Sequence, residues 1–522
     1  MGLLDGLAVA LQPTNLVLVF FGVFVGMVIG VLPGLGPTAT MSLLLPLTFS
    51  MGPESAIIML AGIYYGSMYG GTITSVLLRL PGEAASIVTT FDGYQMARQG
   101  RAGPALGIAA VGSFLGGTVS VIGLTLLSGL LAKVALAVGP PEFAALTVLG
   151  MAMVAFLGTK SFTKSLVMVG IGLLIAAVGQ DPITGQARLT FGFGELLDGV
   201  DLVAVAMGLF GIGEMLHNLE HQTTTPTSLP SVSRVWPTRR DWRQARGSVV
   251  RGGVIGFLIG TVPGGGGVVS SLVSYAVEKR RAKQPERFGK GAIEGVAGPE
   301  TANNASSTAA FIPLLTLGLP SNVVMAVIFG ALLIHDITPG PQLISEHPQV
   351  FWGVIASMYV GNLMLLVLNV PLVGMFIRLL SLRFTLLAPL TVTVIMLGVY
   401  TINSSTFDVW VALVCGIIGY LMRKTGFDPG PLVLALALGA ILERSFRQSL
   451  LISNGSLAIF VTRPGSAVIL VFATLLLFSP LIGNLWRRSR KQSDPPALTG
   501  LPEAIPRARE KAAGSSGSGV DD

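Results

Sequence analysis

Charge is what this sequence has least of. Of 522 residues only 33 are Lys or Arg and 26 are Asp or Glu, so charged side chains make up 11%, where a soluble globular domain carries roughly a quarter. None lies between Asp5 and Glu54, and no Lys or Arg precedes Arg79. The shortage excludes an ordinary soluble enzyme. The net charge of +7 comes from short stretches rather than one continuous face, which excludes a disordered or nucleic-acid-binding chain. The N-terminus lacks the basic start of a secretory signal, so no cleaved leader is expected. The single cysteine, Cys415, sits in an apolar run. Disulfides and thiolate metal clusters are thereby excluded, and a packing role is expected.

Apolar residues, by contrast, reach 51% with a mean hydropathy of +0.74, and many of the 67 Gly and 31 Pro fall inside apolar runs. Membrane helices accept such residues where neighbours re-satisfy the freed backbone groups. Runs approaching the ~20 residues a bilayer requires recur near 56–79, 104–131, 142–158, 165–180, 201–217, 301–319, 350–377, 385–403, 406–422, 430–446 and 466–485. A barrel would show short alternating segments instead. The expectation is an all-α polytopic membrane protein with about 11–12 transmembrane helices. Basic clusters at Arg98/Arg101, Lys160/Lys164, Arg234 to Arg251, Lys279 to Lys290, Arg378/Arg383, Arg423/Lys424 and Arg487 to Lys491 fall on one side, expected to be cytoplasmic. Asp181, Glu195, Asp198, Asp201, Asp336 and Glu346 fall on the other. Lys133 and the mixed segment 443–463 do not fit this alternation.

Residues 252–277 are apolar yet flanked by bases on both sides. Limbs at 254–262 and 268–277 are each about half a bilayer long, which points to a re-entrant hairpin. Its Gly256-x-x-x-Gly260-x-x-Pro263-Gly264-x-Gly266 repeats Gly26-x-x-x-Gly30-x-x-Pro33-Gly34-x-Gly36 at an offset of 230, and Leu80-Pro81-Gly82 recurs as Leu319-Pro320-Ser321 at 239. Two ordered matches favour duplication. The first copy lies between acids and the second between bases, so the copies are expected to enter from opposite faces, as the inverted repeats of secondary transporters do. The expected organisation is a first repeat over 1–217, a cytoplasmic linker over 218–250, a second repeat over 251–486 and a disordered cytoplasmic tail over 487–522.

GVLPGLGPTATMSLLLPLTF, IYYGSMYGGTITSVLLRLPGEAAS, DGYQMARQGRAGPALG and KGAIEGVAGPETANNASSTAAFIPLLTLGLP resemble the large membrane subunit, TctA type, of the tripartite tricarboxylate transporters over about residues 10–485. The resemblance implies a multi-pass permease of the bacterial inner membrane, taking up tricarboxylates or related carboxylates on a Na⁺ or H⁺ gradient without another cofactor. It also implies a small membrane subunit (TctB type) and a periplasmic solute-binding protein (TctC type). Two departures bear on substrate identity: Arg79 precedes Leu80-Pro81-Gly82-Glu83 where the family usually has Asn, and Pro320-Ser321-Asn322 replaces Pro-Gly-Ser.

The breaks at Pro33, Gly34, Gly36 and Thr38 and at Pro263, Gly264, Gly265 and Gly266 would free backbone N–H groups at helix N-termini, which carry about +0.5 charge and suit a carboxylate. Packing glycines alone would need no paired Pro-Gly break. No Gly-Lys-Ser/Thr follows, so a P-loop is excluded. Asn303, Asn304, Ser306, Ser307 and Thr308 put five polar groups in six positions of an apolar crossing. They can donate to a carboxylate, and Asn303, Asn304 and Ser307 can coordinate Na⁺; interhelical hydrogen bonding is their blander role. Gly66, Ser67, Gly70, Gly71 and Thr72 are the weaker counterpart, and Pro81, Gly82, Pro320, Ser321 and Asn322 flank the same region. Arg79 reads as an end anchor in preference to a carboxylate clamp. Asp92 and Glu300 read equally as proton carriers, partners of bases or solvated loop acids.

Two rival readings come from other classes. His217, Glu220 and His221 match the H-x-x-E-H spacing of an inverted zinc protease motif, without an identified third ligand. The second is a passive anion channel, which could not drive uphill, ion-dependent uptake.

Overall fold

The computed structural model describes residues 2–492 apart from 33–35, 80, 158–160, 182–183, 221–231, 233–234, 263–265 and 380–383. Met1–Leu477 form one compact unit and Phe478–Asp522 a second, whose described residues 478–492 are helical. The first half of the chain supplies α1 (Leu3–Ala10), α2 (Pro13–Val31), α3 (Pro37–Leu44), α4 (Pro53–Leu78), α5 (Thr89–Arg98), α6 (Ala102–Ala137), α7 (Pro140–Leu157), α8 (Phe162–Ala176), α9 (Leu202–Ala206) and α10 (Gly213–Glu220). A π-helical turn, Met207–Ile212, joins the last two. The second half supplies α11 (Arg239–Gly260), α12 (Gly267–Arg281), α13 (Glu294–Ala309), α14 (Phe311–Leu317), α15 (Val323–Ile334), α16 (Leu343–Glu346), α17 (Pro348–Leu379), α18 (Phe384–Asn403), α19 (Thr406–Thr425) and α20 (Gly430–Ile452), followed by α21 (Ile459–Thr462) and α22 (Pro464–Gln492). One two-stranded antiparallel ribbon, Gly179–Gln180 with Ala187–Arg188, stands among the described residues.

Proline sets many of these starts. Pro13, Pro37 and Pro53 open α2, α3 and α4, where the missing N–H is an orphan anyway and φ is already helical. Among the described residues five helices are long and apolar enough to cross a membrane: Pro13–Val31, Pro53–Leu78, Ala102–Leu130, Pro348–Asn369 and Thr406–Thr425. Shorter apolar helices fall at 142–158, 165–180, 201–217, 385–403 and 466–485, whereas the expected crossings 301–319 and 430–446 hold helices that are not apolar enough to count. Pro13–Val31 and Val323–Ile334 are apolar helices not expected as crossings. The chain is therefore an all-α polytopic membrane protein. Its core lies around α4, whose apolar window is wholly buried, whereas that of α19 is 22% buried. A helix apolar all round and shielded on every side is a central helix, not a lipid-facing one.

Several boundaries differ from the sequence reading. The crossing expected at 301–319 begins at Glu294 and is divided into α13 and α14 at Ala310. The segment expected as linker over 218–250 already belongs to α11 from Arg239 onward, because Thr238 and Asp241 form a capping box there. Both limbs of the second hairpin are thus longer than expected. In the first hairpin α2, at 19 residues, is long enough to cross unaided, while α3 has eight. The mixed segment 443–463 is explained by ion pairs: Glu443 binds Arg188 at 2.7 Å, Arg447 binds Asp181 at 2.7 Å, and Arg463 binds Glu142 at 3.1 Å.

The offsets of the sequence motifs recur in the packing. On α2, a Cβ added to Gly22, Gly26 or Gly30 would collide with the carbonyl oxygen of Met59, Ile63 or Ser67 on α4. On α11, a Cβ at Gly252, Gly256 or Gly260 would collide with the carbonyl of Gly298, Ala302 or Ser306 on α13. The glycines are related by 230 and their partners by 239, the two offsets of the sequence motifs. The halves also interleave: α6 of the first packs on α11 and α13, and α17 of the second packs on α2 and α4.

Candidate functional site

The residues that flank the ends of each helix pair line one cavity. Gly36 precedes α3 and Gly266 precedes α12 at matching positions. After α4 the chain turns through Arg79, left-handed at φ 59, then reaches Glu83, the N-cap of a 3₁₀ turn at Ala84–Ile87. After α14 it turns through Gly318, left-handed at φ 69, then reaches Asn322, the N-cap of α15. The Glu83 carboxylate accepts from Ala85 N at 2.8 Å, and the Asn322 amide oxygen accepts from Met325 N at 3.0 Å. These caps, too, are 239 residues apart.

Between them lies a cavity of about 490 Å³, within the roughly 300–1,000 Å³ usual for small-molecule sites. Gly36, Pro37 and Thr38 line it from one hairpin and Gly266, Gly267, Val268 and Val269 from the other. Pro81 to Ala85, Asn322 to Val324, Tyr64, Met68, Phe210 and Ser307 complete most of the wall. Thus α3, α12, α15 and the turn at Ala84 all begin at this cavity, which gathers positive dipole ends there, although the Ala85 and Met325 amides are already taken by the Glu83 and Asn322 caps. Glu214 of α10 and Arg423 of α19 pair at 3.3 Å on the same wall. A second cavity of about 540 Å³ lies among Thr338 to Gln342, Arg444 and Gln448. Gly318 borders that cavity and Asn322 the first, so the short segment 318–322 stands between them.

Of the residues singled out from sequence, Gly36, Thr38, Pro81, Gly82, Gly266, Ser307 and Asn322 line the first cavity. Pro33, Gly34, Pro263, Gly264 and Gly265 lie outside the described residues. The polar run on α13 does not converge on one point, because successive residues of a helix turn by about 100°. Asn303 Nδ2 donates to Glu83 Oε1 at 3.1 Å, Asn304 Nδ2 turns to Ser113 Oγ on α6 at 2.7 Å, and Ser307 Oγ donates to the Asn303 carbonyl at 3.0 Å. Ser306 backs onto Gly260, and Thr308 is buried. Buried Asn303 Oδ1, Asn304 Oδ1 and Ser306 Oγ have no hydrogen-bond partner among the described residues. Gly70 packs on α2, Gly71 lies against Glu83 and Ser86, Pro320 is buried, and Ser321 Oγ donates to the Ala310 carbonyl.

Asp92 and Glu300 are both fully buried, which overturns a solvated role for either. Glu300 accepts from the hydroxyls of Thr72 and Thr89. Asp92 accepts from Tyr275 Oη at 2.9 Å and from the amides of Gly289, Gly291 and Ala292. It pins a loop of the second half to α5 of the first. Arg79 is exposed over the Tyr94 ring, 6.0 Å from its centroid, and does not line the cavity. Of the hydrolase motif, Glu220 is engaged by Lys424 at 2.7 Å and Tyr420 at 2.8 Å, and His221 lies outside the described residues. No group of three or more His, Cys, Asp and Glu that could hold a metal ion occurs among the described residues.

Sequence reasoning passed over Glu83, Tyr64, Glu214 and Arg423 as site residues. Glu83 and Tyr64 could have been found by carrying the 239 offset from Asn322 and Asn303. Glu214 and Arg423 stood out as charges at the ends of apolar runs.

Helix pairs packed in the same register, with the segments that follow them lining one cavity, are found in membrane transporters. Comparison with known proteins agrees: residues 16–434 match the Tripartite tricarboxylate transporter TctA family. The chain belongs to that family and is a component of a tripartite tricarboxylate transporter, a system with other subunits. It is 48% identical over 480 residues to an uncharacterized 52.8 kDa protein in the TAR-I ttuC' 3'region of Agrobacterium vitis, covering 92% of this chain and 96% of that one. An uncharacterized protein in the TAR-II ttuC' 3'region of the same organism is 46% identical over 237 residues, covering 45% of this chain and 98% of that one. No solved structure matches.

Proposed function

We propose that this chain is the permease of a cation-coupled uptake system for carboxylate anions in a bacterial inner membrane. The observation that carries the reading is the convergence of helix N-termini from both halves on one cavity. Fixed N–H dipoles stabilise an anion without placing a full charge in the membrane. Tricarboxylates or related acids are the substrate class. Asn322, Ser307, Thr38 and Tyr64 supply side-chain hydrogen bonds, and Arg423 offers the guanidinium that Glu214 now holds.

The two halves are inverted repeats that rock about this cavity, with 318–322 as the wall that opens to the second cavity. Na⁺ or H⁺ drives uptake. A small membrane subunit stands beside the chain, and a periplasmic solute-binding protein delivers substrate to the acidic face carrying Asp336 and Glu346. That face repels a free polyanion, so delivery in a bound form is favoured.

Uptake into proteoliposomes containing this chain and its small subunit, with binding protein added and each ion gradient imposed in turn, tests the reading. Uphill accumulation of a di- or tricarboxylate on one gradient is expected, with the binding protein needed when substrate is scarce. Downhill leakage alone would indicate a channel. Activity that disappears in a His217→Ala, His221→Ala double variant, with no uptake, would indicate the hydrolase.

A further inference from the structure

The two halves provide an internal control for one charge. Glu83 and Asn322 occupy the same place in the repeat: both follow a left-handed turn and a Pro-containing break, both are extended (φ −140 and −154), and both cap the element that follows. Each also meets the helix of the opposite half at matching positions. Glu83 accepts from Asn303 at 3.1 Å, while Asn322 donates to Tyr64 at 3.3 Å. The neutral amide of Asn322 caps α15 without a charge, so capping does not account for the carboxylate at 83.

That carboxylate is costly where it stands. Glu83 is 8% exposed, lines the cavity, and has no Lys, Arg or His partner among the described residues. The nearby ion pair on the cavity wall, Glu214 with Arg423, is internally balanced. When ionised, Glu83 would therefore oppose an incoming carboxylate, since its donors, Ala85 N and Asn303 Nδ2, bring no full positive charge. The amide that donates to Glu83 also carries a buried oxygen left without a donor or a cation. Asn303 is 0% exposed and its Oδ1 accepts no hydrogen bond. Gly267 leaves it room, since a Cβ there would stand 2.5 Å from that oxygen.

Building on the carboxylate-permease reading, we infer that the Glu83 carboxylate and Asn303 Oδ1 form a binding site for a sodium-sized cation at the edge of the substrate cavity. Oxygen ligands with one negative charge suit a hard monovalent ion. Its binding removes the repulsion that Glu83 exerts on a substrate carboxylate, and linkage requires the substrate to strengthen cation binding by the same factor. Glu83 is thus the residue through which cation and anion recognise each other.

The test begins without substrate. Thermal unfolding of the purified full chain is followed in NaCl against choline chloride at fixed pH and ionic strength, since a ligand that binds only the folded state raises its stability. Wild type should be stabilised by Na⁺. Glu83→Ser keeps an N-cap side chain but should lose the shift, whereas Asn322→Ser, the same change in the other half, should keep it. Citrate affinity measured in parallel should rise about tenfold or more with Na⁺ in wild type and stay flat in Glu83→Ser. An unchanged Na⁺ shift in Glu83→Ser, or none in wild type, overturns the site. A Na⁺ shift that Glu83→Ser abolishes, with no carboxylate bound under any condition, upholds the site and overturns the permease reading.

Discussion

The α2/α4 pair and the α11/α13 pair hold the same register of glycine against carbonyl, yet their chemistry has diverged. In the first half the partner helix is crowded with Ile57, Ile58, Met59, Leu60, Tyr64, Tyr65, Met68 and Tyr69. In the second it carries Glu300, Thr301, Asn303, Asn304, Ser306, Ser307 and Thr308. Backbone approach was retained because each glycine faces a main-chain oxygen, which no rotamer change can move aside. Side chains pointing away from that seam were free to change. One half came to supply the carboxylate and the phenol of the site, the other its amides. Scaffold and chemistry can thus be read separately in this molecule.

The largest effects should come from breaking the shared seam. Gly26→Leu and Gly256→Leu each place a side chain against a backbone carbonyl, and should cost more than the roughly 1–3 kcal/mol of ordinary overpacking. Loss of monodisperse protein on size exclusion is expected for both. Tolerance in one half alone would show that the pairs are not equivalent.

A smaller and more local effect should separate the halves. Gly267 faces Asn303 Oδ1 at 2.5 Å and Ala85 Cβ at 2.8 Å from its Cβ position, while the matching residue, Pro37, already carries a ring. Gly267→Ala should leave the protein folded and lower carboxylate uptake by about tenfold or more, as small displacements of a binding group do. Wild-type uptake by a folded Gly267→Ala protein would remove the first turn of α12 from the site.

The smallest effect concerns Asp241, which stands where the first half has Leu11. At the start of α11, burial works against the charge of Asp241, but bonds from the Thr238 hydroxyl and amide and from the Arg101 guanidinium outweigh it and hold its carboxyl below the usual range. A depressed carboxyl contributes stability above its unfolded value of about 4 and gives it up as pH falls through the lower folded value. Asp241→Asn should therefore cost about 0.5–2 kcal/mol near neutrality, as lost caps do. The difference from wild type in thermal unfolding should shrink toward acid pH; a gap independent of pH would place the stabilisation elsewhere.

Much of this organisation was legible in the residues themselves. Scarce charge and long apolar runs specify a membrane protein because unpaired charge and open backbone are both costly in lipid. The paired Pro-Gly breaks pointed to a duplication, and the same offset of 230 relates the glycines that pack against carbonyls. The polar run on α13 was visible too, but not its division: Asn303 faces Glu83 and Asn304 faces Ser113, because one residue of helix rotates a side chain to a different neighbour.

Burial was the other unreadable quantity. Asp92 and Glu300 stand among loop-like neighbours in sequence, yet both are fully buried. Asp92 meets the amides of Gly289, Gly291 and Ala292 about 200 residues away, and Glu300 meets Thr72 and Thr89. Composition and apolar runs alone determined that this chain is helical and lies in a membrane, because those follow from local propensity and solvent. Which carboxylates are buried without a base, and which helix ends share a cavity, was decided only by tertiary structure, because it depends on pairings between residues that the chain keeps far apart.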